Sequence, residues 1–214
     1  MNVLKRTSKS NSHQAKDTNL SKKIDKKLEY VAETVAHSVG NKYVETEKNL
    51  FWKRMIFKDL RYVTFLDFKY NYENRFVSIS YNLELSTEIQ TDERFKEIGD
   101  CVFNVISSGK LQTRDAEWVC TAWKEESLAE KGKYLERLNN RLIIERIVAL
   151  DLQKIQVTHT ANSGTWQIRC ESMIGSSTWV LIPPVISLIK PKEEECIRFI
   201  EFFELVADAL ANNL

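Results

Sequence analysis

Glycine is scarce in this 214-residue chain: only six are present, and none lies in a GxGxxG or GxxxxGKS/T run. The usual loops that cradle nucleotide phosphates are therefore excluded. The four cysteines, Cys101, Cys120, Cys170 and Cys196, lie far apart with no CxxC or Cys/His spacing. That excludes a zinc knuckle and a dense disulfide framework, and predicts reduced, mostly buried thiols. Long hydrophobic runs are also missing. The longest, Trp179 to Ile189, is too short and too broken by Pro183-Pro184 to span a bilayer. No apolar stretch follows the charged start Met1-Asn2-Val3-Leu4-Lys5-Arg6, so no secretory signal is read. These absences predict a cytoplasmic protein without a transmembrane segment, and no cofactor or metal ligand set is read from the chain.

What is present is an ordinary globular composition, 43% hydrophobic and 29% charged, at a length that supports a real core. The net charge of +1 hides an asymmetry. Residues 1–27 hold eight Lys/Arg against two Asp, or +6, which leaves 23 against 28, or −5, for the remainder. An acidic body argues against a nucleic-acid surface there, so contact with nucleic acid or another acidic surface falls to the N-terminus. Residues 1–20 are polar and lack hydrophobic periodicity, which predicts a flexible basic tail followed by a single domain over 21–214.

Within that domain, Ile24, Leu28, Val31, Val35 and Val39 recur at helical spacing, and Gly40 supplies a stop. The segment around Trp52 and Met55 is ambiguous. The period then changes to two: Leu66, Phe68, Tyr70 and Tyr72, then Val77, Ile79, Tyr81, Leu83 and Leu85, predict a hairpin. Its expected register sets Tyr72 opposite Val77, Tyr70 opposite Ile79 and Phe68 opposite Tyr81, around a loop at Asn74-Arg75. A helix is predicted from Thr91 to Gly109 through Phe95, Ile98, Val102 and Ile106, and residues 113–126 lean to helix over strand. Leu135 to Leu150 reads as one further helix, with Lys131, Lys133, Arg137 and Arg141 on a solvated face.

A second hairpin joins Ile155, Val157 and His159 to Trp166, Ile168 and Cys170 across Asn162-Ser163-Gly164. A separate strand, Thr178 to Ile182, ends at Pro183-Pro184. The chain closes with a helix from about Pro191 to Leu210. The resulting fold class is α+β: an antiparallel sheet built from hairpins with helices mainly on one face. The element order also suggests two related halves, about 21–112 and 113–214.

Candidate chemistry is thin. His159 and Cys170 share the apolar face of the second hairpin, but the expected register puts them about four residues, roughly 13 Å, apart along the strand. A histidine packed on Trp166 is therefore favoured over a nucleophile and base pair. Asp67-Phe68-Lys69 carries the acidic-x-Lys spacing of metal-dependent nucleases, a spacing that alternating charges on a wet strand also produce. On the last helix, Cys196, Phe199, Ile200, Phe203, Val206, Ala207 and Leu210 fill an arc of about 120°. Phe202 and Ala209 widen it, and Ile197 and Leu205 lie further round. One sheet contact cannot bury all of these, so Ile197, Phe202, Leu205 and Ala209 are the candidate protein-interaction residues.

The leading expectation is thus a non-enzymatic protein-binding adaptor or chaperone, with a layout compatible with small bacterial secretion chaperones. Its partner is another protein, with a second copy of the chain also admitted. A regulatory protein that touches nucleic acid or an acidic surface through the basic tail comes second, and an enzyme with an unrecognised site third.

Overall fold

The computed structural model describes residues 19–40, 44–45, 50–90, 99–109, 113–123 and 128–211. Most of the expected tail, residues 1–18, and the expected helix start at Thr91 fall outside them. Among the described residues the elements run α1 (Asn19–Ser38), β1 (Val44–Glu45), β2 (Trp52–Ile56), β3 (Phe65–Arg75), β4 (Ser78–Gln90), β5 (Cys101–Ser108) and β6 (Asp115–Trp123). They continue with α2 (Leu128–Leu138), α3 (Arg141–Ala149), β7 (Leu152–Thr160), β8 (Thr165–Val180), β9 (Val185–Leu188) and α4 (Glu193–Ala211). The fold is the expected α+β arrangement. Every strand pairing is antiparallel, and the sheet order is β1-β2-β3-β4-β8-β7-β5-β6, with β9 added to β8.

Helix α1 begins at Asn19, so the first two helical residues belong to what the sequence assigned to the tail. It buries the predicted stripe of Ile24, Leu28, Val31 and Val35, and the chain leaves it through Gly40 at φ +71°. A polar clamp fixes it to the sheet: both Asp25 carboxylate oxygens accept from Lys53 Nζ at 2.9 Å, and Oδ1 also accepts from the Phe51 N–H at 2.8 Å. Helices α2 and α3 pack on β6 and β7, while α4 contacts α1, α2, α3 and β8. The helices share one face of the sheet, and the residues beneath them, such as Phe68, Leu85, Phe103, Trp166 and Ile168, are buried.

Six expectations need correction. The first hairpin pairs Tyr72 with Tyr81 and Tyr70 with Leu83, a shift of four from the predicted register, so its turn is Phe76-Val77 and not Asn74-Arg75. A shift of four keeps every side chain on its face, which is why alternation alone could not exclude it. The described part of the predicted 91–109 helix is strand β5, paired on both edges, with Cys101 and Phe103 inward. Residues 115–123 form β6, in which Ala116 and Trp118 face inward. The single helix expected over 135–150 is two, broken at Asn139-Asn140.

Each asparagine explains that break. Asn140 caps α3 by accepting from the Leu142 N–H at 2.9 Å, and Asn139 exchanges two hydrogen bonds with the Trp118 backbone at 2.8 and 3.2 Å. The strand placed at 178–182 is the end of the 16-residue β8, and Pro183-Pro184 sit in its turn to β9, a strand the sequence reading omitted. The last correction concerns α4: Phe202 and Ala209 are buried, because α1, α2 and α3 cover the part of the helix that a single sheet contact would leave open.

Strand β8 is long because it bends once. Gly175, at φ +86°, lies where the β4–β8 ladder shifts register between Tyr81 and Leu83. Ser176 Oγ fills the gap by accepting from the Leu83 N–H at 2.9 Å and donating to the Ser172 carbonyl at 2.6 Å. Tyr70 donates its hydroxyl to the Gly175 carbonyl at 2.6 Å. The bend lets the second half of β8 pair with β9 on the edge that β7 has left.

Candidate docking surface

Two hairpin turns come together at one end of the sheet because their strands are neighbours. Arg75 pairs with Ser78 around Phe76-Val77, Val180 pairs with Val185 around residues 181–184, and Ser78 pairs with Val180. A hydrogen bond from the Leu181 N–H to the Val77 carbonyl, 3.0 Å, ties the two turns side by side. Both present apolar side chains to solvent: Phe76 is 100% exposed, Ile182 84%, Val77 53% and Val185 51%, and Leu181 adds to them. Scattered apolar residues are normal on protein surfaces, but a contiguous group at two adjoining turns is the pattern of an interaction site.

A basic groove begins one residue along β9. It has a volume of about 500 Å³ and is lined by Lys23, Lys26, Lys27 and Tyr30 of α1, Ile186 and Leu188 of β9, and Lys190. The α1 residues sit three and four apart, so they share the side of the helix away from buried Ile24 and Leu28. Lys190 Nζ lies 5.9 Å from the Tyr30 ring centroid. Among the described residues no carboxylate lines the groove, and none of its four lysines forms an ion pair.

The sequence-predicted interaction residues separate. Phe202 is fully buried, edge-on to Phe203 with ring centroids 5.3 Å apart, and Ala209 is buried as well. Ile197 is exposed. Leu205 lines a different groove, of about 390 Å³, with Tyr62, Leu142 and a set of charged residues. Those charges are occupied within the chain: Arg146 pairs with Glu201 at 2.9 Å, Arg61 lies 3.8 Å from Asp208, and Glu204 accepts the backbone N–H groups of Tyr62 and Val63 at 3.1 and 2.7 Å. This groove is a self-neutralised seam between α3, α4 and the loop before β3.

The other candidates are structural. Asp67 is held in a fork by Arg54, with contacts of 2.7 and 2.8 Å, and that guanidinium lies 4.1 Å from the Phe65 ring centroid. Its carboxylate is engaged in a cross-strand ion pair on the face of the sheet opposite the described helices. His159 sits opposite Trp166 as the second hairpin predicted, with ring centroids 4.6 Å apart. Its Nδ1 lies 3.2 Å from the Gly99 carbonyl, while Nε2 is buried with no hydrogen-bond partner among the described residues. Burial lowers the His159 pKa below the usual imidazole value, partly offset by the Gly99 contact and the nearby Asp100 charge. Cys170 is fully buried, and burial pushes its thiol well above the ordinary range. Among the described residues none of the four cysteines forms a disulfide.

Residues 53–210, well over half of the chain, match the family described as Protein of unknown function (DUF3156). The chain belongs to that family. Comparison with curated proteins and with solved structures finds no match. The DUF3156 region contains both hairpin turns and the Leu205 groove, whereas Lys23, Lys26, Lys27 and Tyr30 precede it. No described helix is long and apolar enough to cross a membrane.

Sequence reasoning missed the turn residues because it drew Val77 into a strand and treated Leu181 and Ile182 as strand residues. The signal was present: Phe76 is an aromatic directly after the polar run Glu73-Asn74-Arg75, and Ile182 directly precedes two prolines. The lysines of α1 were counted in the basic bias of residues 1–27, but nothing in the sequence showed that β9 would stand opposite them.

Proposed function

We propose that the chain is a non-enzymatic adaptor that docks on its partner with the apolar end of its sheet. The observation that supports this is the pairing of two solvent-facing turns, which brings Phe76, Val77, Leu181, Ile182 and Val185 into one surface. These side chains contribute little to the core, so folding does not account for them. The adaptor role expected from the sequence is kept, and its contact surface moves from α4 to the turns.

Site-specific photo-crosslinking in the native cell tests this directly. Benzoylphenylalanine at position 76 or 182 is expected to give an adduct, to a protein or to lipid, and the same group at exposed Glu193 none. Equal yields from all three positions would remove the basis for the docking surface. The alternative in which an acidic surface is met through the basic N-terminus gains support from the cluster of lysines beside the turns, and it bears on what the partner is.

A further inference from the structure

From the lysine groove and the apolar turns together, we infer that the docking partner is an anionic lipid bilayer, with Phe76, Val77, Leu181 and Ile182 entering the interface and Lys23, Lys26, Lys27 and Lys190 meeting headgroup phosphates. The inference rests on the docking reading above and names its partner. Three observations favour this occupant.

The first is shape. The apolar residues stand on projecting turns, and the most apical of them, Phe76 and Ile182, are the most exposed. A convex apolar tip suits insertion among acyl chains, whereas a bound peptide is normally held in a concave site. The second is charge. Four lysines, and no carboxylate among the described residues, line the groove that adjoins the tips, on a body that is otherwise acidic. Their placement matches anionic headgroups flanking an inserted apolar tip, and lysine stems are long enough to reach phosphates from the flank. The third is continuity. Residues 1–18 carry Lys5, Arg6, Lys9 and Lys16 against Asp17, and join α1 four residues before Lys23. That segment has the same sign as the groove and adds to the attraction for an anionic surface.

The test is co-sedimentation of the full chain with vesicles of phosphatidylcholine mixed with phosphatidylglycerol, and with vesicles of phosphatidylcholine alone. Binding is expected only to the anionic vesicles, and raising the salt from about 0.1 M to about 0.5 M is expected to weaken it strongly. Lys26→Glu with Lys27→Glu is expected to lower the partition coefficient by about thirtyfold or more. Phe76→Ser with Ile182→Ser is expected to lower it on the order of a hundredfold. All four residues lie on the surface, so thermal melting of both variants should match the unaltered chain.

Absence of binding to anionic vesicles at low salt overturns the inference. So does vesicle binding that the serine pair leaves unchanged, or binding of soluble polyglutamate as tight as that of the vesicles, which would identify an acidic polypeptide as the occupant. If vesicles fail while position 76 still crosslinks a discrete protein in cells, the lipid is refuted and the adaptor reading stands. If neither occurs, both fall.

Discussion

Replacing Gly175 by alanine puts a methyl group where the structure has none to spare. A Cβ built on Gly175 lies 2.6 Å from Leu83 Cδ2 and 3.1 Å from Val31 Cγ1. Leu83 and Val31 are both fully buried, so neither can swing into solvent, and the overpacking costs about 1–3 kcal/mol. The backbone adds to this. At φ +86° an L side chain meets the following carbonyl, which costs about 1–2 kcal/mol more. A total of about 2–5 kcal/mol corresponds to a fall in melting temperature of roughly 5–15 °C for a chain of this size. Thermal melts followed by circular dichroism, with urea unfolding for the free energy, measure it. A companion variant separates the two contributions: Leu83→Ala removes the closest contact, so the Gly175→Ala increment measured in that background should shrink to the backbone part. The reasoning fails if Gly175→Ala melts within about 2 °C of the unaltered chain, or if its increment is the same with and without Leu83.

Three further outcomes follow from the buried groups. Lys53→Met leaves the Asp25 carboxylate without its cation beneath α1 and is expected to cost about 2–3 kcal/mol in urea unfolding. Adding Asp25→Leu should recover only part of that, since the Phe51 N–H then loses its acceptor. His159 gives a pH dependence. Its folded pKa is lowered by burial, so as pH falls through about 6.5 the unfolded chain protonates first. The His159 contribution to stability is therefore intact above about pH 6.5, declines below it, and levels off once the folded histidine also titrates. Subtracting the profile of His159→Gln isolates this step, and an unchanged difference from about pH 7.5 to 5.5 would refute it. Phe202→Asp should destabilise the chain by about 4 kcal/mol or more, because it places a carboxylate between packed helices. A melt close to that of the unaltered chain would return Phe202 to the surface.

The elements legible in the sequence are those whose pattern admits one solution. Helices α1 and α4 carry unbroken 3.6-residue stripes with signalled ends, and both form as expected. In the second hairpin, Gly164 closes the turn at φ +62°, and the His159–Trp166 pairing follows. Errors arose where two solutions satisfy the same pattern. In the first hairpin a slip of four residues changes the turn and leaves both faces intact, so Phe76 and Val77 were misplaced. In β5, Cys101, Phe103 and Val105 alternate while Val102, Val105 and Ile106 fit a helical face, and only pairing with β6 and β7 decides between them. The Phe202 misplacement has a different origin. Its position on α4 was read correctly as lying beyond one sheet contact, but the helices that cover it come from other parts of the chain, and no periodicity in α4 encodes them.

The hairpin turn itself separates the needs of the fold from the needs of docking. Two-residue hairpin turns are favoured by Asn-Gly, because the twist of the strands suits positive φ at both central positions. Here the central residues are Phe76 and Val77, and neither has a positive φ. Valine is β-branched and phenylalanine bulky, so neither residue is suited to that turn, and both stand in solvent instead of core. Local turn chemistry and burial thus both argue against these residues, and a side chain that the fold does not require is the kind retained for contact with something else. Replacing the pair by Phe76→Asn and Val77→Gly is accordingly expected to leave the melting temperature unchanged or raise it by a few degrees, an effect of about 0.5–1 kcal/mol. The same variant is expected to lose the adduct at position 182 and to lower sedimentation with anionic vesicles. Should Asn-Gly destabilise the chain by more than about 1 kcal/mol, Phe76 and Val77 are serving the hairpin, and their exposure ceases to be an argument for docking.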